Sequence, residues 1–270
     1  MSNTINPYPI IGTQLTSGLD AIVNALNPKS TVDDLVNAIY NYIQPIYYPK
    51  VSGIIETEIK SVAYNVINTY INNTFCSAVA YNARQDYFIS LLLCATSKKP
   101  VNLIDQWLLD VEDNIGKSGL SIYEQTPLLL ATVDGKSVYN YWISVVQKPG
   151  KWSRFLNENV AINYANIPFW TEECMEGALI GANASPKGLI SPTTDITSVE
   201  IISSLIGALA IGAGVVIFRW LPKINNGNGG GPKPVEYPVN TGAGSFTWGS
   251  GGTTHYKADY LIEKSVTYYF

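Results

Sequence analysis

Two Gly-Lys-Ser triplets, Gly116-Lys117-Ser118 and Gly135-Lys136-Ser137, are the closest this chain comes to a phosphate-binding pattern. A P-loop needs another glycine five residues earlier, because several backbone amides must converge on the phosphates. Those places hold Val111 and Leu130, inside helical patterns with no strand before them. The triplets are therefore expected to mark helix ends or interruptions, and no nucleotide is expected as a ligand. His255 is the only histidine, which excludes a Ser-His-Asp triad, a multi-histidine metal site and a histidine pH switch. Two acid groups, Asp110, Glu112 and Asp113, then Glu172, Glu173 and Glu176, have the residue types for paired carboxylates or a calcium site. Neither has the alternating oxygen-ligand spacing of an EF-hand loop, so solvated helix faces are expected instead. Cys76, Cys94 and Cys174 are odd in number and far apart. They are expected as buried free thiols, although a Cys76 to Cys94 bridge would imply an oxidising compartment. No catalytic residue, cofactor or metal is expected.

With catalysis unsupported, the feature that speaks of an environment is Ile201 to Phe218 (IISSLIGALAIGAGVVIF), an uncharged run between Glu200 and Arg219-Trp220. As a helix it spans about 27 Å, close to the hydrocarbon thickness of a bilayer. Ser203, Ser204, Gly207, Gly212 and Gly214 dilute it, and a helix apolar all round also suits the centre of a soluble bundle. Two details favour lipid. Ser204, Ala208 and Gly212 fall four apart, with Gly207, Ala210 and Gly214 on a neighbouring stripe, the spacing that lets helices pack closely in a membrane. Arg219 can snorkel, Trp220 suits the headgroup layer, and Pro222 stops the helix.

The charges flanking the run set up a conflict. Arg219, Lys223 and Lys233 follow it, whereas Lys187, Asp195 and Glu200 precede it, so the positive-inside rule puts the C-terminal side in the cytoplasm. Some two hundred residues would then cross the membrane, yet Met1 to Gln14 has neither a basic n-region nor an apolar h-region and no signal peptide is visible. A leader absent from this chain, a leaderless export route, or a soluble protein that inserts later would each resolve the conflict. The last needs the fewest additional parts, and the expected location is membrane-associated or secreted.

Composition bounds the remaining readings. The 270 residues are 46% hydrophobic, ample for a core, and only 14% charged, well below the usual quarter. A surface rich in tyrosine (18 residues) and poor in charge suits packing against other molecules. Up to Glu200 there are 12 bases against 18 acids, and from Arg219 onward 5 against 3. An acidic body argues against a nucleic-acid partner.

The body has the pattern of a helical bundle. A short helix is expected from Ser17 to Asn27-Pro28, then another with Thr31 as N-cap and Asp34 completing a box-like cap. Val32, Leu35, Val36, Ile39 and Ile43 give that second helix one apolar face, and Pro45 and Pro49 are expected to end it. A helix of about 29 residues is expected from Ile54 to Asn82, with Ile55, Ile59, Val62, Val66, Ile67 and Tyr70 as its stripe. Further helices are expected at about 85 to 97 and 101 to 116, the latter turning Ile104, Trp107, Leu108 and Val111 inward. Ser121 and Glu124 form a capping box, although Pro127 soon follows, and one or two helices continue to about Val146 with Gly135 weakening the middle.

Asp113 to Trp142 resembles a segment found in a group of short, uncharacterised bacterial proteins. The shared pattern is S-x-L-S-x-x-E-Q, an aliphatic run, G-K, then Y-x-Y-W, here Ser118 to Gln125, Gly135-Lys136 and Tyr139 to Trp142. It covers about 30 of 270 residues, a Gly/Ala-rich apolar stretch often follows in that group, and no activity comes with it.

The C-terminal part is a different material. Asn225 to Pro234 (NNGNGGGPKP) is a Gly/Asn/Pro linker. Beyond it, Ser245 to Trp248 and Thr253 to Phe270 have strand patterns separated by Gly249-Ser250-Gly251-Gly252. Tyr256, Ala258, Tyr260, Ile262, Val266, Tyr268 and Phe270 share one face of the last strand. Such a strand resembles the closing strand of an outer-membrane barrel, but two strands cannot close one, and docking on the body or on a neighbouring subunit is expected.

The expected fold is thus mainly α, a helical bundle with one apolar Gly/Ala-rich helix and a small C-terminal β tail. Its divisions are residues 1–198 (body), 199–222 (apolar helix), 223–244 (linker) and 245–270 (tail). The expected function is a non-enzymatic membrane-active protein, toxin-like in that a buried helix inserts into a bilayer as a pore or an anchor. Ser204, Gly207, Ala208, Gly212 and Gly214 would pack inserted helices, Arg219 and Trp220 would anchor the interface, and Met175 to Ala182 would supply a second, shorter arm. The alternative is a structural subunit of a virion or secretion assembly, with Tyr256, Tyr260, Ile262, Val266, Tyr268 and Phe270 as subunit contacts. Either way the partners are a lipid bilayer or further copies of the chain, and an apolar helix enclosed on every side by its own chain would put the alternative first. A carboxylate-based enzyme is a third class, and it requires an acid cluster lining a concave pocket.

Overall fold

A computed structural model describes residues 6–47, 54–72, 82–96, 98–156, 164–184 and 196–219. Among these the chain is mainly helical, with eight α-helices and no strand. The expected β tail, with Tyr256 to Phe270, lies outside the described residues, as do Trp220, the linker and His255.

The first helix, α1 (Pro9–Ala25), starts eight residues before the expected start at Ser17. Pro9 sits in its first turn, where a missing N–H costs nothing. Ile11, Leu15, Leu19 and Ile22 fall on one face and are all buried, so tertiary packing overrides the weak helix formers between them. The next helix, α2 (Val32–Tyr47), opens as expected: the Thr31 N–H donates to Asp34 Oδ2 at 2.7 Å and the Asp34 N–H to Thr31 Oγ1 at 3.3 Å. It does not stop before Pro45. Proline deprives the Asn41 carbonyl of a donor, but both residues are exposed, where solvent can satisfy that carbonyl, and the helix runs two residues further to Tyr47.

The third helix, α3 (Ile54–Ile71), buries Ile59, Val62, Ala63, Val66, Ile67 and Tyr70 along the expected stripe. The expected continuation to Asn82 falls mostly outside the described residues. After Asn82, which caps it, α4 (Ala83–Ser90) widens into a π-helical turn, Leu91–Ala95. A short 3-10 turn leads into α5 (Ile104–Lys117), which buries Ile104, Trp107, Leu108, Val111 and Ile115. The long helix α6 (Ile122–Gln147) is one helix and not two. Its box is formed as expected, with the Ser121 N–H donating to Glu124 Oε2 at 2.7 Å and the Glu124 N–H to Ser121 Oγ at 3.4 Å. Gly135 does not break it, because the missing side chain makes room for Met175, whose sulfur would stand 2.5 Å from a Cβ there.

The last two helices are α7 (Ile167–Ala184) and α8 (Ile196–Ile217). They lie at the centre, α8 packing against α1, α2, α3, α6 and α7 within one continuous hydrophobic core. α8 starts at Ile196, three residues before the expected start of the apolar helix at residue 199.

Candidate functional site

Among the described residues the α7–α8 pair makes the most extensive helix–helix contact, and it runs antiparallel. Cys174 meets Gly212, Gly177 meets Gly207 and Ile211, and Gly181 meets Ser203 and Gly207. At the crossing the two backbones touch. A Cβ on Gly207 would collide with the Gly177 carbonyl oxygen and stand 3.0 Å from the Gly181 Cα. Glycine at 177, 181 and 207 is what lets α7 and α8 approach this closely, and Gly18 does the same for α1 where Leu209 and Tyr42 press on it.

The small residues read from the sequence are therefore contact residues, but they pack α8 against helices of its own chain. Gly207 is the crossing point and Gly212 borders Cys174 and Leu19. Ser204 and Ala208 are fully buried, Gly214 is buried, and the Ser204 hydroxyl has no hydrogen-bond partner. Every residue from Ile202 to Val216 is buried. Val199–Ile217 is nonetheless long and apolar enough to cross a membrane, with mean hydropathy 2.1, the one such helix among the described residues. Arg219 follows at the surface with φ of 54°, in the left-handed region. Met175 to Ala182, expected as a short second arm, belongs to a helix of 18 residues, the length of a marginal span.

Charge in this interior is one-sided. Between Ile167 and Ala184, and between Ile196 and Phe218, the only charged residues are Glu172, Glu173, Glu176 and Glu200. Glu173 is not on a solvated face as expected. It is 3% exposed, has no hydrogen-bond partner at Oε2, and has the Tyr70 phenol of α3 beside it. Glu112 departs from expectation in the same way, being buried, but it is neutralised by an ion pair with Lys136 from α6. Asp134 was invisible to sequence reasoning, because a single acid in an aliphatic helix has no motif. It is fully buried with both carboxylate oxygens unpartnered, and burial pushes its carboxyl well above the usual range. The structure brings Glu172, Glu173 and Glu176 together on α7, whereas Asp110, Glu112 and Asp113 are spread around α5.

The patterned segment Asp113 to Trp142 is used for architecture. Ser121 and Glu124 cap α6, and Glu124 Oε1 also accepts from Asn82 Nδ2 at 2.5 Å, joining the starts of α4 and α6. Gln125 Nε2 donates to the Leu120 carbonyl at 2.7 Å. Gly135 admits Met175, Lys136 holds Glu112, and Tyr139 donates to the Val101 carbonyl. Tyr141 donates to Asp20 at 2.8 Å and accepts from Trp152 Nε1 at 2.6 Å. Trp142 is the fully buried centre of an aromatic cluster, 5.1 Å from Trp152 and 5.0 Å from Trp170. Both Gly-Lys-Ser triplets lie in helices, one ending α5 and one in the middle of α6, without a phosphate cradle.

Among the described residues, no three His, Cys, Asp or Glu side chains converge as metal ligands. A surface groove of about 350 Å³ between α1 and α2 is lined by Ala21, Ala25, Ala38, Asn41, Tyr42, Pro45 and Ile46, without a carboxylate. Cys174 is a buried free thiol, whereas Cys76 and the Cys94 side chain lie outside the described residues. No family model, no curated protein and no solved structure matches the chain.

Proposed function

We propose that this is a non-enzymatic, membrane-active protein that stores the α7–α8 hairpin in its interior and releases it into a bilayer, as an anchor or as the unit of an oligomeric pore. The observation carrying this reading is the pairing of the two helices. Their glycine-to-glycine contact makes a unit whose internal packing does not depend on the surrounding shell, and such contacts keep their strength in lipid, where burial of apolar surface gives no drive. Neither helix carries a cation, and α8 has the length and hydropathy of a span.

The alternative is a structural subunit of an assembly. It is favoured by the enclosure of Ile202 to Val216, the arrangement of a permanent core helix and the outcome expected to put this reading first, and by large exposed apolar residues at one end of the bundle; the glycine seam between α7 and α8 is what keeps insertion ahead of it. Ile10, Ile122 and Tyr123 are 64%, 57% and 67% exposed, and the Tyr8–Thr126 hydrogen bond brings the starts of α1 and α6 together there. Liposome flotation and dye release separate the two. Leakage and co-flotation of the purified chain support insertion; vesicles inert from neutral to acid pH, together with self-assembly, overturn it in favour of the structural role.

A further inference from the structure

We propose that proton uptake by the hairpin's glutamates gates its transfer to lipid, so that acid drives insertion and neutral pH holds the hairpin in the bundle. The inference rests on the insertion reading above and adds the condition for it.

The argument starts from where the acids sit. Glu176 is half-buried on α7, next to the Gly177–Gly207 crossing, and therefore near the middle of the hairpin's length. Glu200 is half-buried in the early part of α8, toward the end at which the two helices connect. Glu173 is already dry, with its Oε2 unpartnered. The groups bearing on these acids are themselves acidic or neutral. Glu172 and Glu176 lie along α7 with Glu173, Tyr70 faces Glu173 from α3, and Asp134 and Trp142 approach from α6 around Cys174. Burial acts on Glu200, and on Glu176 it acts together with the neighbouring acid Glu173 on the same helix. With no base on either helix, an ionised glutamate cannot enter lipid as half of an ion pair, and an unpaired carboxylate in hydrocarbon is strongly disfavoured.

The sign follows from linkage. In the bundle Glu176 and Glu200 retain contact with water and can ionise; in lipid they must hold their protons. The inserted state therefore binds more protons than the folded one, and falling pH favours it, by up to about tenfold per pH unit for each carboxylate that must be neutralised. Glu173 leaves one dry environment for another and adds little to the slope. Glu176, at mid-hairpin, adds the most, and Glu200, near the connecting end, less.

The test is partition of the intact chain onto phosphatidylcholine–phosphatidylglycerol vesicles between about pH 9 and about pH 4, wide enough to cover the ionisation of half-buried carboxylates. Flotation and dye release are the readouts, and circular dichroism confirms that each variant is folded before lipid is added. Wild-type partition is expected to rise steeply as pH falls. Glu176→Gln should flatten the slope by up to about tenfold per pH unit, Glu200→Gln should flatten it less, and Glu173→Gln should leave it nearly unchanged. Insertion that is equally strong across the range would overturn the gate and leave the insertion reading standing. Vesicles untouched at every pH would overturn the insertion reading itself. The wild-type titration decides between these even if a variant fails to fold.

Discussion

Helices α2 and α8 are built from similar aliphatic residues and answer opposite questions. In α2 the buried residues Leu35, Val36, Ile39 and Ile43 form a stripe, while Asp33, Asp34, Asn37 and Asn41 face water. Water is one of its two solvents, and the sequence says which side is which. In α8 the buried residues go all the way round, from Ile202 to Val216. Hydropathy then reports only that the helix avoids water, and cannot distinguish a protein interior from a bilayer. What distinguishes them is the neighbour each face finds, and here the neighbours are α1, α2, α3, α6 and α7.

The sharpest break between the two helices is steric. A valine at Gly207 has nowhere to go, since the opposing atoms are the backbone of Gly177 and Gly181. Gly207→Val is expected to cost more than about 3 kcal/mol, or to prevent folding. Asn37→Leu on the open face of α2 should stay within about 0.5 kcal/mol of wild type. Urea denaturation of both variants makes the comparison, and a tolerated valine would mean that the helices do not touch at this point.

Apolar truncation comes next. Leu209 is fully buried on α8 and Leu109 is 44% exposed on α5. Leu209→Ala should cost about 3 kcal/mol and Leu109→Ala less than about 0.5. Equal losses in thermal melts would contradict the enclosure of α8.

A smaller effect, and one with a pH signature, belongs to Asp134. Folding raises its carboxyl above the unfolded value of about 3.9, so the folded chain keeps a proton that the unfolded chain has lost. Its contribution is therefore most favourable below about pH 4 and declines as pH rises toward the folded pKa. Asp134→Asn should remove this decline and add on the order of 1–3 kcal/mol at neutral pH. Denaturation midpoints at stepped pH are the measurement, and an unchanged slope in the variant would show that Asp134 does not carry it. The smallest effect is at the cap of α2, where Thr31→Ala should cost about 1 kcal/mol and leave α8 undisturbed by hydrogen exchange.

Legibility along the chain followed how local the cause was. The Thr31–Asp34 and Ser121–Glu124 boxes lie three residues apart and form as read. The early start of α1 and the survival of α6 through Gly135 were not legible. Both depend on partners more than a hundred residues away for α1, and on Met175 for Gly135. The π turn at Leu91–Ala95 left no mark in the composition. The acids divided the same way: nothing in the spacing of Glu112 and Glu173 says that they turn inward, since burial of a charge is decided by the helices that close over it.

By itself the sequence determined that this is a helical chain with particular caps and stripes, and that one stretch rejects water in every direction. These are properties of neighbours within a turn or two, which the chain carries wherever it folds. Only the tertiary structure decided what that stretch meets instead. Glycines at 177, 181 and 207 become a contact only when α7 lies antiparallel to α8, and an acid such as Glu173 becomes a cost only when other helices have removed its water. Packing and desolvation arise between segments distant in sequence, so no local pattern records them.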